Sequence, residues 1–286
     1  MSDEPFIGSE ARGRGLVLRH QLRSRFRAVF PDVYVRRDQR LTSRDRAVAA
    51  WLWSYRQGVL AGLTAAAWHG SKWVDERLPV ELIWSNARPP RGVRTYDIRL
   101  GPGEFRVVES MPVTTPGRTA FDIGRRKPIG IAIAQLDALM QATGVRTQEV
   151  AQLADRHRGA RGLRQLEVAL DLVDAGSQSP KETWLRLLLI RAGLPRPTTQ
   201  IPVTTADGVL VYYLDMGWED LMVAVEYDGE HHRLDRWQYT RDVRRREALD
   251  RLGWIVIRVL AADRPADVVA RVRDALEFRA SSLHRN

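Results

Sequence analysis

Leu214-Asp215, followed by Val223-Ala224-Val225-Glu226-Tyr227-Asp228-Gly229-Glu230-His231-His232, reads as two apolar strands that each run into acid. Leu221 to Val225 contains no polar residue, the pattern of a strand buried on both faces. Driving such a strand into Glu226 and Asp228 gathers carboxylates where loss of water penalises their charge. A hard divalent cation relieves both burial and mutual repulsion, and oxygen ligands are its natural partners. In a strand Glu226 and Asp228 project to one face, about 7 Å apart along the backbone. Asp215 ends the preceding strand, the expected antiparallel neighbour.

Working outward, residues 176–286 read as α-β-β-β-α-β-α. Ser179-Pro180 opens a helix carrying Trp184, Leu185, Leu188 and Leu189. Strands are predicted over 199–204, 209–215 and 221–228, the first two joined by the hairpin signal Ala206-Asp207-Gly208. A helix over 239–252 closes at Gly253, a buried strand spans 254–259, and a last helix spans 266–279. Residues 175–180 form the expected linker. Domains are therefore expected at 1–40, an Arg-dense segment, at 41–175, an α+β region, and at 176–286. In the middle region Thr42 or Ser43 can cap a helix over 44–56, and a second helical piece over 64–69 stops at Gly70. Strand-like runs at 80–84 and 94–100 precede helices that start at Thr115-Pro116, and a basic, glycine-containing stretch occupies 156–162.

Composition bounds the function. The chain has 286 residues, enough for two ordinary domains, and its 44% hydrophobic content argues against disorder. It lacks cysteine, which excludes disulfides, thiolate zinc sites and a cysteine nucleophile. With no basic leader running into an apolar run and no apolar stretch of membrane-spanning length, a soluble, cytoplasmic protein without membrane association is expected. Residues 1–175 hold 28 Lys and Arg against 19 Asp and Glu, whereas residues 176–286 hold 17 against 16. The positive excess thus sits away from the acidic cluster: one surface to hold phosphate and one site to hold metal, or simply a basic composition that aids solubility. A Gly-x-Ser-x-Gly elbow, a His-Glu-x-x-His pair and a Walker loop are all absent from the sequence.

Each side chain has a chemical and a bland reading. Asp215 and Glu226 can bind Mg²⁺, with Mn²⁺ as a substitute, and the Tyr227 carbonyl can add an oxygen. Such an ion acidifies a bound water and neutralises phosphoryl charge. Asp228, His231 or His232 can orient that water or take its proton. Otherwise the acids only cap strand ends and Asp228-Gly229 is a turn. Glu182, three residues after Ser179, completes a capping box or points into the metal site; both remain open. Arg241, Arg244 and Arg245 lie on the following helix, where one or two can grip phosphate by bidentate bonds. Arg23 and Arg25 belong to the basic start of the chain. His20, His157 and His284 have no identifiable partner and read as surface residues, and His69 reads as a packing histidine.

This order of helix-Glu, strand-Asp, strand-Glu-x-Asp-Gly-x-His, Arg-bearing helix and strand resembles the PD-(D/E)xK nuclease superfamily. Within it, the pattern is similar to domains related to very-short-patch-repair endonucleases. The matching residues are Glu182, Asp215, Glu226, Asp228, His231, Asp242, Arg245 and Gly253-Trp254-Ile255-Val256-Ile257-Arg258. The resemblance implies a restriction-endonuclease-like core, a mixed sheet flanked by helices, with Mg²⁺ held by Asp215 and Glu226. It departs at one position, where the Lys expected two residues after the Glu is Asp228. The front region resembles the AbiEi-type (type IV) antitoxins through its Arg-rich start leading to Val33-Tyr34-Val35, through Ala65-Ala66-Ala67-Trp68-His69-Gly70, and through the run Pro112–Asp122. That likeness implies DNA binding by a winged helix, here shortened, since 16–27 leaves room for about one helix before the Val33 strand.

Two functions are therefore expected to compete. One is a Mg²⁺-dependent DNA endonuclease with a basic accessory domain, in repair or defence. The other is a non-catalytic, antitoxin-like DNA-binding regulator with a silent nuclease fold. DNA is the expected partner of both, with a toxin or repair proteins as further partners.

Overall fold

The computed structural model describes residues 4–86, 88–204, 210–228 and 236–283. The chain divides into two compact units, Met1–Val173 and Asp174–Asn286, both mixed α and β.

The first unit begins with β1 (Phe6–Ile7), α1 (Gly8–Gly13), α2 (Arg19–Arg25), β2 (Phe26–Phe30) and β3 (Val33–Arg36). The stretch 16–27 holds one helix, α2, as expected before the Val33 strand, and α1 lies ahead of it. The three strands form an antiparallel sheet in the order β1-β3-β2. Asp32 turns the β2–β3 hairpin at φ 59°, and its carboxylate accepts from the backbone N–H of Ser9 at 3.0 Å and from the Ser9 hydroxyl. The turn thereby satisfies orphan donors at the start of α1.

Next come α3 (Ser43–Trp53), β4 (Val59–Leu60), α4 (Gly62–Trp68), β5 (Val80–Ile83), β6 (Val93–Tyr96), β7 (Phe105–Val108) and β8 (Met111–Thr114). Thr42 and Asp45 form a reciprocal capping box on α3. The five strands make a mixed sheet in the order β6-β5-β4-β8-β7. His69 packs as expected, its Nε2 2.7 Å from the Thr114 carbonyl oxygen. Four helices close the unit: α5 (Pro116–Arg126), α6 (Ile129–Thr143), α7 (Thr147–Arg156) and α8 (Leu163–Leu172). Thr115 caps α5 and Pro116 occupies its first position, where a missing N–H costs nothing.

The second unit runs α9 (Pro180–Arg191), β9 (Thr198–Thr204), β10 (Leu210–Trp218), β11 (Val223–Asp228), α10 (Arg236–Arg251), β12 (Ile255–Leu260) and α11 (Pro265–Leu283). Its sheet is mixed, in the order β12-β11-β10-β9, with β11 parallel to β12 and the other pairs antiparallel. One core joins Leu185 and Leu189 of α9 and Val268, Val272 and Leu276 of α11 to Met216, Val223 and Val225. A second core sets Leu249 of α10 and Trp254 against Ile201, Leu214 and Ala224. Apolar packing on two sides explains why Leu221–Val225 lacks any polar residue. The hairpin signal at Ala206-Asp207-Gly208 lies outside the described residues.

β10 corrects one expectation. Asp215 does not end its strand; Met216, Gly217 and Trp218 continue it, paired with Val225, Ala224 and Val223. Gly217 makes this pairing possible: a Cβ there would stand 2.3 Å from the Val223 carbonyl oxygen and 2.8 Å from Ala224 Cα. Both obstructing atoms are backbone, so neither can rotate aside. Gly217→Ala is therefore expected to destabilise the unit by about 1–3 kcal/mol, the usual penalty of overpacking. Denaturant unfolding measures it, and an unchanged midpoint would refute the close approach.

Candidate active site

The register of β10 on β11 brings the acids together. The last paired residues are Met216 and Val225, and Asp215 and Glu226 are the next residues on their strands. Beyond this point the Asp215 side chain takes over from the backbone ladder: Oδ2 accepts the Tyr227 N–H at 3.0 Å. The N–H and C=O of one strand residue point the same way, so the Tyr227 carbonyl faces the side on which Asp215 lies.

Three further elements complete the constellation. From α9, the N-terminal turn supplies Glu182, whose backbone N–H is accepted by Ser179 Oγ at 3.2 Å while its Oε2 accepts from Gln178 N–H at 2.8 Å. Glu182 is thus a capping residue, and its charge also reaches Asp215. Trp184, two residues on, sets its ring edge-on to Tyr227 at 6.4 Å and fastens α9 to β11. From α10, Arg245 grips Glu226 with both terminal nitrogens, Nη1 to Oε2 at 3.1 Å and Nη2 to Oε1, and Nη2 also donates to the Tyr213 carbonyl at 3.1 Å. From β12, Arg258 stands in register with Glu226 and 3.9 Å from Asp228.

Burial dominates the electrostatics. It pushes the Asp215 carboxyl up to about 6, the Glu182 charge adds to the rise, and the Tyr227 N–H and Arg245 oppose it. Burial also raises Glu226, with Asp215 adding and Arg245 and Arg258 opposing, and it raises Glu182 against the pull of Gln178 N–H and the Ser179 hydroxyl. Three acids are therefore under-compensated, Asp215 most of all.

Such a donor set suits a hard cation: one buried carboxylate, one half-buried carboxylate and a carbonyl, all oxygen. Mg²⁺ needs only one or two protein carboxylates. Among the described residues no group of three or more His, Asp or Glu side chains closes a metal cage, and Glu226 faces Arg245. The fit is that of a small, two-carboxylate site.

The other expected residues are dispersed. Asp228 is partly exposed at the end of β11 beside Arg258. His231 lies outside the described residues, as does the side chain of Arg241, whose backbone belongs to α10. Arg244 is exposed. Arg23 and Arg25 are exposed in the last turn of α2, where Arg19, His20, Arg23 and Ser24 line an open concavity. Sequence reasoning did not assign Arg258 a role. Its signal is a lone cation inside the apolar strand 254–259.

Two proteins of Mycobacterium tuberculosis are similar to this chain: the uncharacterized protein MT2308 of strain CDC 1551 and the uncharacterized protein Rv2248 of strain H37Rv. Each is 26% identical over 254 residues, 87% of this chain and 92% of the relative. A match of that length reaches into both units. No family model and no solved structure matches the chain.

The raised Asp215 pKa has a signed consequence for the metal-free protein. The folded carboxyl holds its proton more tightly than the unfolded one, so its stabilising contribution is present below pH 3.8 and lost as pH rises through about 6. Asp215→Asn should therefore melt close to wild type at pH 4 and clearly above it at pH 8, by at most about 3 kcal/mol. Thermal melts across that range measure the difference; a gap independent of pH contradicts the assignment.

Proposed function

We propose that this chain is a metal-dependent DNA endonuclease of the PD-(D/E)xK type, with a basic first unit that holds the nucleic acid. The observation that carries the reading is the meeting of half-buried Asp215 and buried Glu226 just past the last paired residues of β10 and β11, where Asp215 Oδ2 holds the Tyr227 N–H and both acids are raised by burial. Supporting it are the αβββαβα order, the mixed sheet with helices packed on it, and Glu182 arriving from the first helix.

Asp215 and Glu226 hold Mg²⁺ or Mn²⁺ in this reading, with the Tyr227 carbonyl as a further oxygen. When bound, the ion acidifies water and neutralises phosphoryl charge. Glu182 adds negative potential that strengthens cation binding. Arg245 and Arg258 are the cations nearest the carboxylates and orient a phosphodiester by its non-bridging oxygens. Asp228, exposed where the related pattern has Lys, accepts a proton from the attacking water.

One observation favours the regulator reading: Arg245 already neutralises Glu226 with two hydrogen bonds, as a cation would in a silent site. The helix–helix–hairpin at the start of the chain, with Arg23 and Arg25 exposed on its second helix, serves DNA binding in both readings.

Incubation with supercoiled plasmid and Mg²⁺ or Mn²⁺ separates them. Wild type is expected to nick or linearise the plasmid. Asp215→Ala and Glu226→Ala are each expected to lower the rate by roughly three orders of magnitude, with DNA affinity nearly unchanged. Cutting that survives both substitutions sinks the nuclease reading. Gel shifts without cleavage in all three proteins select the regulator.

A further inference from the structure

Arg156-His157-Arg158-Gly159-Ala160-Arg161-Gly162 joins α7 to α8, and the fold clamps it from beneath. On α5 the buried Arg118 gives Nε to Asp122 Oδ2 at 2.9 Å and Nη1 to Glu104. Glu104 Oε1 lies 2.6 Å from His157 Nε2, and the His157 ring stands 5.4 Å from Phe121. His157 is therefore a partnered residue and not the surface histidine expected from sequence; its partner is 53 positions away. Arg125 holds Asp122 Oδ1 through Nη2 at 2.8 Å and sends Nη1 to the Arg161 carbonyl at 3.3 Å. Gly162, at φ 85°, backs onto α5 so closely that a Cβ would stand 2.3 Å from the Arg125 carbonyl oxygen. Surface loops are ordinarily mobile. This one is pinned at His157, Arg161 and Gly162.

The pinned loop walls a pocket of about 440 Å³. Arg99, Arg156, Arg158 and Arg161 form its rim, Arg118, Arg125 and Arg126 its floor, and none of its lining residues is acidic. Asp122 and Glu104, beneath the floor, serve Arg118 and Arg125. Arg126 is left half-satisfied: Nη2 is 3.2 Å from Asp122 Oδ1, the guanidinium stacks 4.1 Å from the Tyr96 ring centre, and Nη1 is buried with no hydrogen-bond partner. Burial, countered by Asp122 and reinforced by Arg125 and Arg118, holds its pKa below the usual arginine range. Seven arginines line the concavity against the two buried carboxylates Asp122 and Glu104, and cations in such excess focus a positive potential that an anion relieves. The guanidinium fork matches phosphate oxygens. Phe121 among the lining residues is buried, and the pocket offers chiefly charge. The volume admits more than one phosphoryl group.

We propose that this pocket binds adjacent phosphoryl groups, supplied by a nucleic-acid backbone or by a free polyphosphate. It is independent of the carboxylate site and is read by binding alone, in metal-free buffer where no cleavage competes.

The probes are inorganic tripolyphosphate, followed by calorimetry, and a labelled DNA duplex, followed by fluorescence anisotropy. The variants are R156Q/R161Q, whose side chains are exposed, and R126Q, which leaves Asp122 with Arg118 and Arg125. Wild type is expected to bind tripolyphosphate, and each variant to bind it roughly tenfold more weakly. If the ligand is nucleic acid, tripolyphosphate displaces the duplex, and R156Q/R161Q lowers the slope of log affinity against log salt by about two. A duplex slope that stays constant while tripolyphosphate binding weakens assigns the pocket to a free phosphorylated ligand. No tripolyphosphate binding by wild type, or equal binding by wild type and both variants, overturns the proposal.

Discussion

The second unit depends on the register of β10 against β11. That register brings two carboxylates together just past its last paired residues, beside a sheet packed by apolar side chains. Gly217 permits the approach, the Tyr227 N–H turns toward Asp215, and Arg245 reaches across from α10 to Glu226. Magnitudes rank these effects. An exposed ion pair is worth at most about 1 kcal/mol, whereas a carboxyl moved from 3.8 to about 6 carries roughly three times that as a burden on the folded state. The fold thus keeps an ionisable group where its charge costs stability, an arrangement that clusters at functional sites.

How much of this was legible depends on the distance over which each interaction acts. The order of elements in the second unit follows from local signals: Ser179-Pro180 at a helix start, apolar runs bounded by turn residues, and Gly253 after a helix. Both acids were visible because charge at the end of an apolar run is anomalous in one dimension. The position of Asp215 within its strand was not, since Gly217-Trp218 reads as an exit and only the opposing Val223 carbonyl reveals it as a close pairing. Similarly, α1 and α2 are six and seven residues long, too short for a helical period to show, and α1 is secured by an Asp32 that is distant in sequence. Glu104 reaches His157 across 53 positions, a relation no local pattern encodes.

The pairing of Arg245 with Glu226 bears on both functional readings, and its second anchor discriminates between them in physical terms. A cation that merely replaced a lost metal needs no partner besides the carboxylate. Arg245 has one: the same Nη2 that meets Glu226 also donates to the Tyr213 carbonyl, and the guanidinium lies 5.5 Å from the Tyr212 ring. A guanidinium so tethered would keep its place if, in the proposed nuclease, a divalent ion drew Glu226 away. Removing one partner of a buried pair ordinarily strands an uncompensated charge at a cost of about 3–5 kcal/mol. Here the partner is tethered to a carbonyl and partly exposed, so its release is far less costly. In the proposed nuclease, Glu226 would exchange its guanidinium for a metal ion while Arg245, held by the Tyr213 carbonyl, would stay beside the site.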